Sequence, residues 1–365
     1  MQHPLAAKIT PVQAAFFLFQ TQIGIGVLTM PYDINRHAGT SGWIPILLAG
    51  LLSCAFILIA ARLLERFPDY DLFHLPSGKI KRWTVKLMSA LFALHSGFRT
   101  IIGIVISTNI VIQWIYPDAE FWWIAAIDGV ALFLMAGAPL LPLARLSVLM
   151  SPEIPILLCL TLLNLSPLDY RYLLPIDPSC QSVLRALFYS QLSFAGIELL
   201  VVISPAIAGG PKSAVKPLVG FTLFLTAIYI IAFLTCLMFF NTDGLDDIPE
   251  PVLYFYRGIK LILMERIDFV FLAVWLIKSY MINANYTFST LLCLRKLWPN
   301  LNPSYSLLSV ASILILFSLY WGDDREKIES LAIWGGWEYA SMLGVLLLVM
   351  VPLALSYQAR RPMSP

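Results

Sequence analysis

The sequence has 365 residues, of which 59% are hydrophobic and only 13% are charged, and its mean hydropathy is +0.79. Soluble domains contain roughly 45–50% apolar and 25% charged residues, so this composition predicts a chain that crosses a lipid bilayer several times. The net charge of +2 leaves no excess of basic residues for a nucleic-acid backbone, and we exclude nucleic acid as a partner.

The sequence also lacks the short motifs of metal, nucleotide and disulfide chemistry. The five cysteines form no CxxC pair, and the four histidines are too scattered for a zinc-binding spacing. No GxxxxGK[ST] loop is present for ATP. We therefore expect no cofactor, no metal site and no enzymatic activity.

Apolar stretches of about 20 residues, the length that crosses a bilayer as a helix, predict ten transmembrane spans. They lie near 10–33, 42–64, 84–113, 121–142, 146–166, 183–209, 216–240, 266–292, 303–321 and 337–357. The N-terminal segment lacks the basic region and cleavage site of a secretory signal, so the first stretch is predicted to be a span. Placing both termini in the cytoplasm gathers most basic residues of the connections on the inner side, as the positive-inside rule requires.

The first and sixth spans are interrupted at matching depths. In the first, FFLFQTQIGIGVLTMPYD, Gly24 and Gly26 flank Ile25. In the sixth, SQLSFAGIELLVVISPAIAGG, Ala195 and Gly196 lie at mid-depth. An interrupted helix exposes peptide groups where lipid cannot satisfy them, so a small zwitterionic ligand is predicted to bind there. The alternative is that these glycines only serve packing or kinks.

The positions of the two interruptions suggest an internal repeat. If the chain divides into spans one to five, 10–166, and six to ten, 183–357, each half has an odd number of helices. The second half then enters the membrane with opposite polarity, which makes the two halves an inverted repeat within a single membrane domain.

Several ionisable side chains are predicted at membrane depth, where each needs a partner or hydration. They are Arg99, Asp128, Glu153, Glu198 and Lys278. His95 lies four residues before Arg99 and shares its helix face. These groups could neutralise one another or serve a binding site. Glu198 adjoins the second interruption, which favours contact with a ligand ammonium or a proton relay. Glu338, at a predicted span end, is expected to be solvated.

Two further segments leave alternatives open. In the eighth span, Lys278 could supply a fixed ammonium where a sodium-coupled carrier holds its metal ion, or it could hydrogen-bond neighbouring helices. Asn283, Asn285 and Thr287 of the same span could line a cavity or join helices. The connection 246–260 alternates proline, aromatic and charged residues, and could be an interfacial cover or an anchored loop.

Four stretches resemble the B subunits of bacterial spore germinant receptors, also called endospore germination permeases. They are the opening FFLFQTQIGIGVLTMP, the RFP after the second span, the FAGIE of the sixth and the ERID that opens the eighth. The segment GIGVLTMP is also similar to the wider amino acid–polyamine–organocation transporters. The resemblance covers nearly the whole chain. It implies an all-α fold of ten transmembrane helices like that of the leucine transporter, with helices 1 and 6 broken.

The same resemblance implies a location and partners. The chain would reside in the inner membrane of the bacterial spore, surrounded by lipid, and would sense a nutrient germinant, commonly an amino acid. It would act with an A subunit and a lipoprotein C subunit. Gly24–Gly26 would contact the ligand carboxylate, Phe194–Gly196 would form the second break, and side chains of the third and eighth spans would shape the pocket. The charges of Arg99 and Lys278 depart from a simple amino-acid site and could favour an anionic group.

Two functions are compatible with these features. In the first, the chain is a receptor subunit, and ligand binding stabilises one arrangement of the two repeats, which partner chains convert into ion release. In the second, it is a proton-coupled secondary amino-acid transporter, in which Glu198 or another acid carries the proton.

Overall fold

The computed structural model describes residues 5, 7–24, 26–67, 71–73, 79–153, 155, 168–259, 266–300, 302–322 and 324–358, and these are almost entirely helical. Thirteen α-helices lie within these ranges. They are α1 (Pro11–Gln22), α2 (Gly26–Ala38), α3 (Trp43–Leu64), α4 (Lys79–Trp114), α5 (Phe121–Ala136), α6 (Leu140–Met150), α7 (Cys180–Leu192), α8 (Leu200–Ile203), α9 (Pro211–Asp246), α10 (Pro251–Arg257), α11 (Ile267–Leu297), α12 (Pro303–Trp321) and α13 (Arg325–Gln358).

Five of these helices, α3, α4, α9, α11 and α13, are long and apolar enough to cross a membrane. Three pairs of helices are together long and apolar enough to cross a membrane but are bent by more than 40° at a break, namely α1 with α2, α5 with α6, and α7 with the segment Ile197–Ala206. Helix α12 is shorter but apolar. These helices coincide with the predicted spans, except that most of the fifth, 146–166, lies outside the described residues.

The junction between the fourth and fifth spans differs from the prediction. Helix α5 ends at Ala136, and α6 begins at Leu140, before the predicted start at 146 and at an angle of 116° to α5. Pro139 precedes α6 with an extended backbone, φ −61° and ψ 166°. Proline cannot continue a helix and restricts the residue before it, so the chain turns here.

The long helices pack into two groups. Helices α1, α2, α3, α7 and α9 contact one another, and α4, α5, α11 and α12 form a second set of mutual contacts. Helix α13 packs against α3, α4 and α7. Spans one, two, six and seven therefore form one group, and spans three, four, eight and nine form the other.

The two interrupted spans run in opposite directions. The Ile9 N–H donates to the carbonyl of Ala206 at 2.9 Å, and the Ala208 N–H donates to the carbonyl of Ile9 at 2.9 Å. The start of the first span therefore lies beside the end of the sixth, and their interruptions meet midway, where Gly26 faces Ser193.

Candidate functional site

Both predicted interruptions are breaks in the helices. The axes of α1 and α2 differ by 54°, and those of α7 and Ile197–Ala206 by 53°. The first break falls between Gln22 and Gly26 and the second between Leu192 and Ile197. Ile25, the central residue of the first predicted break, lies outside the described residues.

Glycine is required where the breaks cross. Gly196 has φ +121°, a conformation that side chains rarely adopt, and a Cβ there would come within 3.0 Å of Thr21. A Cβ at Gly26 would lie 2.7 Å from the Cβ of Ser193. These contacts bring the backbones of the two broken spans together.

Aromatic side chains satisfy carbonyls at both breaks. The Tyr229 hydroxyl, on α9, lies 3.0 Å from the carbonyl oxygens of both Gln22 and Ser193, so its single proton is shared between them. The Trp275 indole N–H donates to the carbonyl of Gly24 at 3.4 Å. One tyrosine therefore joins the two breaks without any ligand.

Two further backbone groups of the second break also have hydrogen-bond partners. The Tyr339 hydroxyl, on α13, donates to the carbonyl of Phe194 at 3.4 Å, and the Gly196 N–H donates to Glu198 Oε2 at 2.8 Å. The sequence predicts that a ligand forms hydrogen bonds with the unpaired peptide groups of the breaks. The structure shows instead that side chains from other helices satisfy several of them.

A cavity of about 720 Å³ lies beside the breaks. Five of the predicted binding residues line it, namely Gly24, Gly26, Arg99, Ala195 and Asn283. The walls come from both helix groups and α13, and the cavity extends to the exposed residues Arg36, Gln113 and Asp247 at one end of the molecule.

The connection predicted as a cover or an anchored loop lies at that end. Its residues Pro251–Arg257 form α10, which packs on α2, α9 and α11. Leu253 and Phe255 are buried against these helices, while Glu250 and Tyr254 line the cavity. The segment is therefore a cover over the cavity.

Four other predicted site residues, His95, Phe194, Gly196 and Glu198, are buried behind the cavity wall. His95 lies between two carboxylates, with its Nε2 3.1 Å from Glu198 Oε1 and its Nδ1 2.5 Å from Glu338 Oε1. The Tyr286 hydroxyl donates to the same Glu198 oxygen at 2.9 Å. These contacts tie the second break to α4, α11 and α13.

Glu338 is a member of this network that the sequence does not predict. It was expected to be solvated because the tenth span was predicted to begin at 337, whereas α13 begins at Arg325 and places Glu338 well inside the helix. The first turns of α13 are polar, so a prediction based on apolar stretches places the start of this helix too late.

Lys278 lies apart from the large cavity and is paired. Its ammonium donates to Gln20 Oε1 at 2.8 Å and lies 3.1 Å from Glu153 Oε1, with 1% of the residue exposed. The contact ties α11 to the last turn of α1 before the break. Mutual neutralisation, one of the two predicted alternatives, is what the structure shows for Lys278 and Glu153.

Asp128 has no cation in contact among the described residues. It accepts hydrogen bonds from the hydroxyls of Ser107 at 2.9 Å and Thr108 at 3.2 Å. Hydroxyl groups of the neighbouring helix therefore satisfy one oxygen of this buried carboxyl group, Oδ2.

Arg99 differs from the other membrane-depth charges because it faces the cavity. Its guanidinium lies 5.9 Å from the ring centre of Tyr286 and 5.5 Å from that of Tyr339, as in cation–π contacts. Within the described part of the chain, no carboxylate oxygen comes within 4.0 Å of its nitrogens.

Two amide side chains at the cavity are also without hydrogen-bond partners among the described residues. Both amide atoms of Gln22 and of Asn283 are buried and unpartnered. The sequence predicts Asn283 as a site residue but not Gln22, although Gln20–Gln22 is a polar stretch directly before the glycines. A buried unpaired amide is costly, so these groups indicate a place for a polar molecule.

Comparison with known proteins identifies a family and relatives of this chain. Residues 8–326 match the family described as spore germination protein. Spore germination protein YndE of Bacillus subtilis (strain 168) is 24% identical, with 75% of this chain and 77% of the relative aligned. Spore germination protein GerQB of Bacillus cereus is 23% identical, with 92% of each chain aligned.

Among solved structures, the chain is similar to Mhp1, a nucleobase-cation-symport-1 family transporter in a closed conformation with bromovinylhydantoin bound. The TM-score is 0.59 at 13% identity, and the match covers 94% of this chain and 78% of that one. This similarity confirms the predicted fold, which is all-α and leucine-transporter-like with broken helices 1 and 6.

Proposed function

Because the chain belongs to the spore germination protein family, we propose that it is the germinant-sensing membrane subunit of a spore germination receptor. Its ligand is a small nutrient, such as an amino acid, bound at mid-membrane between the two broken helices. The observation that carries this proposal is the cavity of about 720 Å³ beside the crossing breaks, with unpartnered polar side chains on its wall.

The predicted site residues divide by position into two roles. Gly24, Gly26, Arg99, Ala195 and Asn283 contact the ligand directly, because they line the cavity. The proposal assigns Ile25 to the same contact from its place in the sequence. A second set supports the breaks from behind, namely His95, Phe194, Gly196, Glu198 and Lys278.

Signalling would use the two helix groups. The cavity wall includes α1, α2 and α7 of one group and α4 and α11 of the other, so a ligand there favours the arrangement in which both groups contact it. A ligand can shift such an equilibrium only by its difference in affinity for the two states. An A subunit and a lipoprotein C subunit would convert the shift into ion release. Each of the proposed inverted repeats, 10–166 and 183–357, contributes helices to both groups, so the ligand would also fix the arrangement of the two repeats.

The receptor would lie in the inner membrane of the spore with both termini on the core side. The distribution of basic residues supports this orientation, since the connections on the termini side hold most of them.

A nutrient screen tests the proposal. Spores whose only germinant receptor contains this chain are exposed to single amino acids, nucleosides and sugars, and germination is followed by loss of optical density. We expect at least one amino acid to trigger germination that is lost when this chain is deleted. Germination that does not depend on the chain would contradict a receptor role.

A proton-coupled amino-acid transporter is the alternative, favoured by the transporter fold and by the buried His95–Glu198–Glu338 network. Proteoliposomes containing this chain alone distinguish the two functions. Concentrative uptake of a labelled amino acid driven by a proton gradient would support the transporter. Saturable binding without accumulation would support the receptor.

A further inference from the structure

We infer that the ligand of the cavity is an α-amino acid whose carboxylate binds the Arg99 guanidinium of α4, and not the peptide groups of the broken helices. The inference rests on the proposed function, because it assigns the chemistry and orientation of the ligand at the same site.

Several peptide groups at the breaks have partners already. The Tyr229 hydroxyl serves the carbonyls of Gln22 and Ser193, and the N–H of Gly196 donates to Glu198. The N–H of Gly24 donates to the carbonyl of Gln22 at 3.0 Å. A carboxylate that bound these N–H groups would have to displace hydrogen bonds within the protein.

Arg99 is a cation without a charged partner in contact. A guanidinium at membrane depth is costly unless it is paired or hydrated, and no carboxylate oxygen lies within 4.0 Å of it among the described residues. Glu198 and Glu338 are engaged by His95, and Glu198 also accepts from Tyr286.

The aromatic rings beside Arg99 keep the guanidinium in place for such a ligand. The faces of Tyr286 and Tyr339 approach it, and both hydroxyls are used elsewhere, by Glu198 and by the carbonyl of Phe194. A guanidinium held in this way offers a planar set of donors to a carboxylate, which can bind it with two parallel hydrogen bonds.

The two unpartnered amides supply what the other end of an amino acid needs. Gln22 Oε1 and Asn283 Oδ1 are buried acceptors on the cavity wall, and each lies on an amide that also carries donors. A ligand ammonium can donate to these oxygens. Beside the breaks, the cavity wall therefore combines one guanidinium for an anionic group with two neutral amides for a cationic group, which matches an α-amino acid.

Purified full-length chain in detergent tests this assignment. Thermal unfolding is measured with each of the twenty L-amino acids, with the corresponding amino-acid amides and with the corresponding decarboxylated amines. Ligand that binds only the folded chain raises the melting temperature. We expect at least one amino acid to raise it, and we expect its amide and amine to bind at least about tenfold more weakly, the loss of a charge-assisted contact.

Variants at Arg99 give the second comparison. Arg99→Gln is expected to bind the same amino acid at least about tenfold more weakly and to lose the preference for the acid over the amide. Arg99→Lys, which keeps the charge without the fork of donors, is expected to retain the preference. Arg62→Gln is the control, because Arg62 is an exposed arginine at the end of α3.

The outcomes distinguish failure of the Arg99–carboxylate assignment from failure of the proposed function. Equal binding of the amino acid and its amide by the unmodified chain would overturn the role of Arg99 while leaving the binding site intact, and this comparison requires no variant. If no compound raises the melting temperature of the unmodified chain, the amino-acid assignment is overturned, and the proposed function falls with it only if the spore screen also finds no nutrient whose effect depends on this chain.

Discussion

Buried charges in the helical core are held by short polar contacts between helices that are far apart in sequence. Lys278 and Gln20 are 258 positions apart, and His95 is separated from Glu198 by 103. The sequence predicted which charges would lie at membrane depth, because apolar spans surround them. It could not predict their partners, because helical spacing fixes the face of one helix and not which other helix approaches that face.

The pairing of Lys278 with Glu153 predicts a non-additive effect on stability. Lys278→Met leaves the Glu153 carboxylate, 10% exposed, without its cation, and breaking a buried pair costs about 3–5 kcal/mol. Glu153→Gln in the same chain removes the unpaired charge, so the double variant should recover most of that loss. Thermal unfolding in detergent measures both. A double variant no more stable than Lys278→Met would contradict the pairing.

The broken helices show which features of a helix can be predicted from its own sequence. Gly24, Gly26 and Gly196 marked both breaks in the sequence, since glycine permits a backbone that other residues avoid. The Tyr229 hydroxyl that joins the breaks was not predicted, because Tyr229 lies within an apolar span and nothing near it in sequence is polar enough to indicate its role. Tertiary packing supplies the hydrogen-bond partners of the backbone groups at the breaks.

Two glycine substitutions test the crossing of the breaks. Gly196→Ala places a side chain on a residue with φ +121° and 3.0 Å from Thr21, and such strain costs about 1–3 kcal/mol. Gly220→Ala, in the exposed middle of α9, meets nothing within 4 Å and should be neutral or stabilising by up to about 1 kcal/mol. The melting temperature of Gly196→Ala should therefore lie below that of Gly220→Ala. Equal melting temperatures would argue against the strained junction.

The arrangement of the whole molecule followed from the count and polarity of the spans together with the family resemblance. Predicted span ends were less accurate where polar turns or prolines interrupt the hydropathy, as at Pro139 and before Glu338. The residues that line the cavity were only partly predictable. Gly24, Arg99 and Asn283 line it as expected, whereas Gln22, Asp33 and Tyr189 enter the wall through packing of separate helices.

The orientation in the membrane can be measured with a native cysteine. Cys180, at the start of α7, is exposed, whereas Cys54, Cys236 and Cys293 are buried. The predicted topology places Cys180 on the outer side, so a membrane-impermeant maleimide should label intact vegetative cells that express the chain. Cys180→Ser should abolish the labelling. Labelling that requires permeabilised cells would reverse the orientation.

We propose that a small molecule occupies the cavity between the broken helices, and calorimetric titration of the purified chain measures this binding. The titrant is the nutrient identified by the spore screen. Gly24 lines the cavity, and the atom nearest to an added Cβ is Ile282 Cδ1 at 3.2 Å, so a leucine side chain at this position would fill the ligand's space. Gly344→Leu, in open space on α13, is the matched control. We expect one ligand per chain, binding lost in Gly24→Leu and unchanged affinity in Gly344→Leu. Equal affinity of the unmodified chain and Gly24→Leu would contradict it.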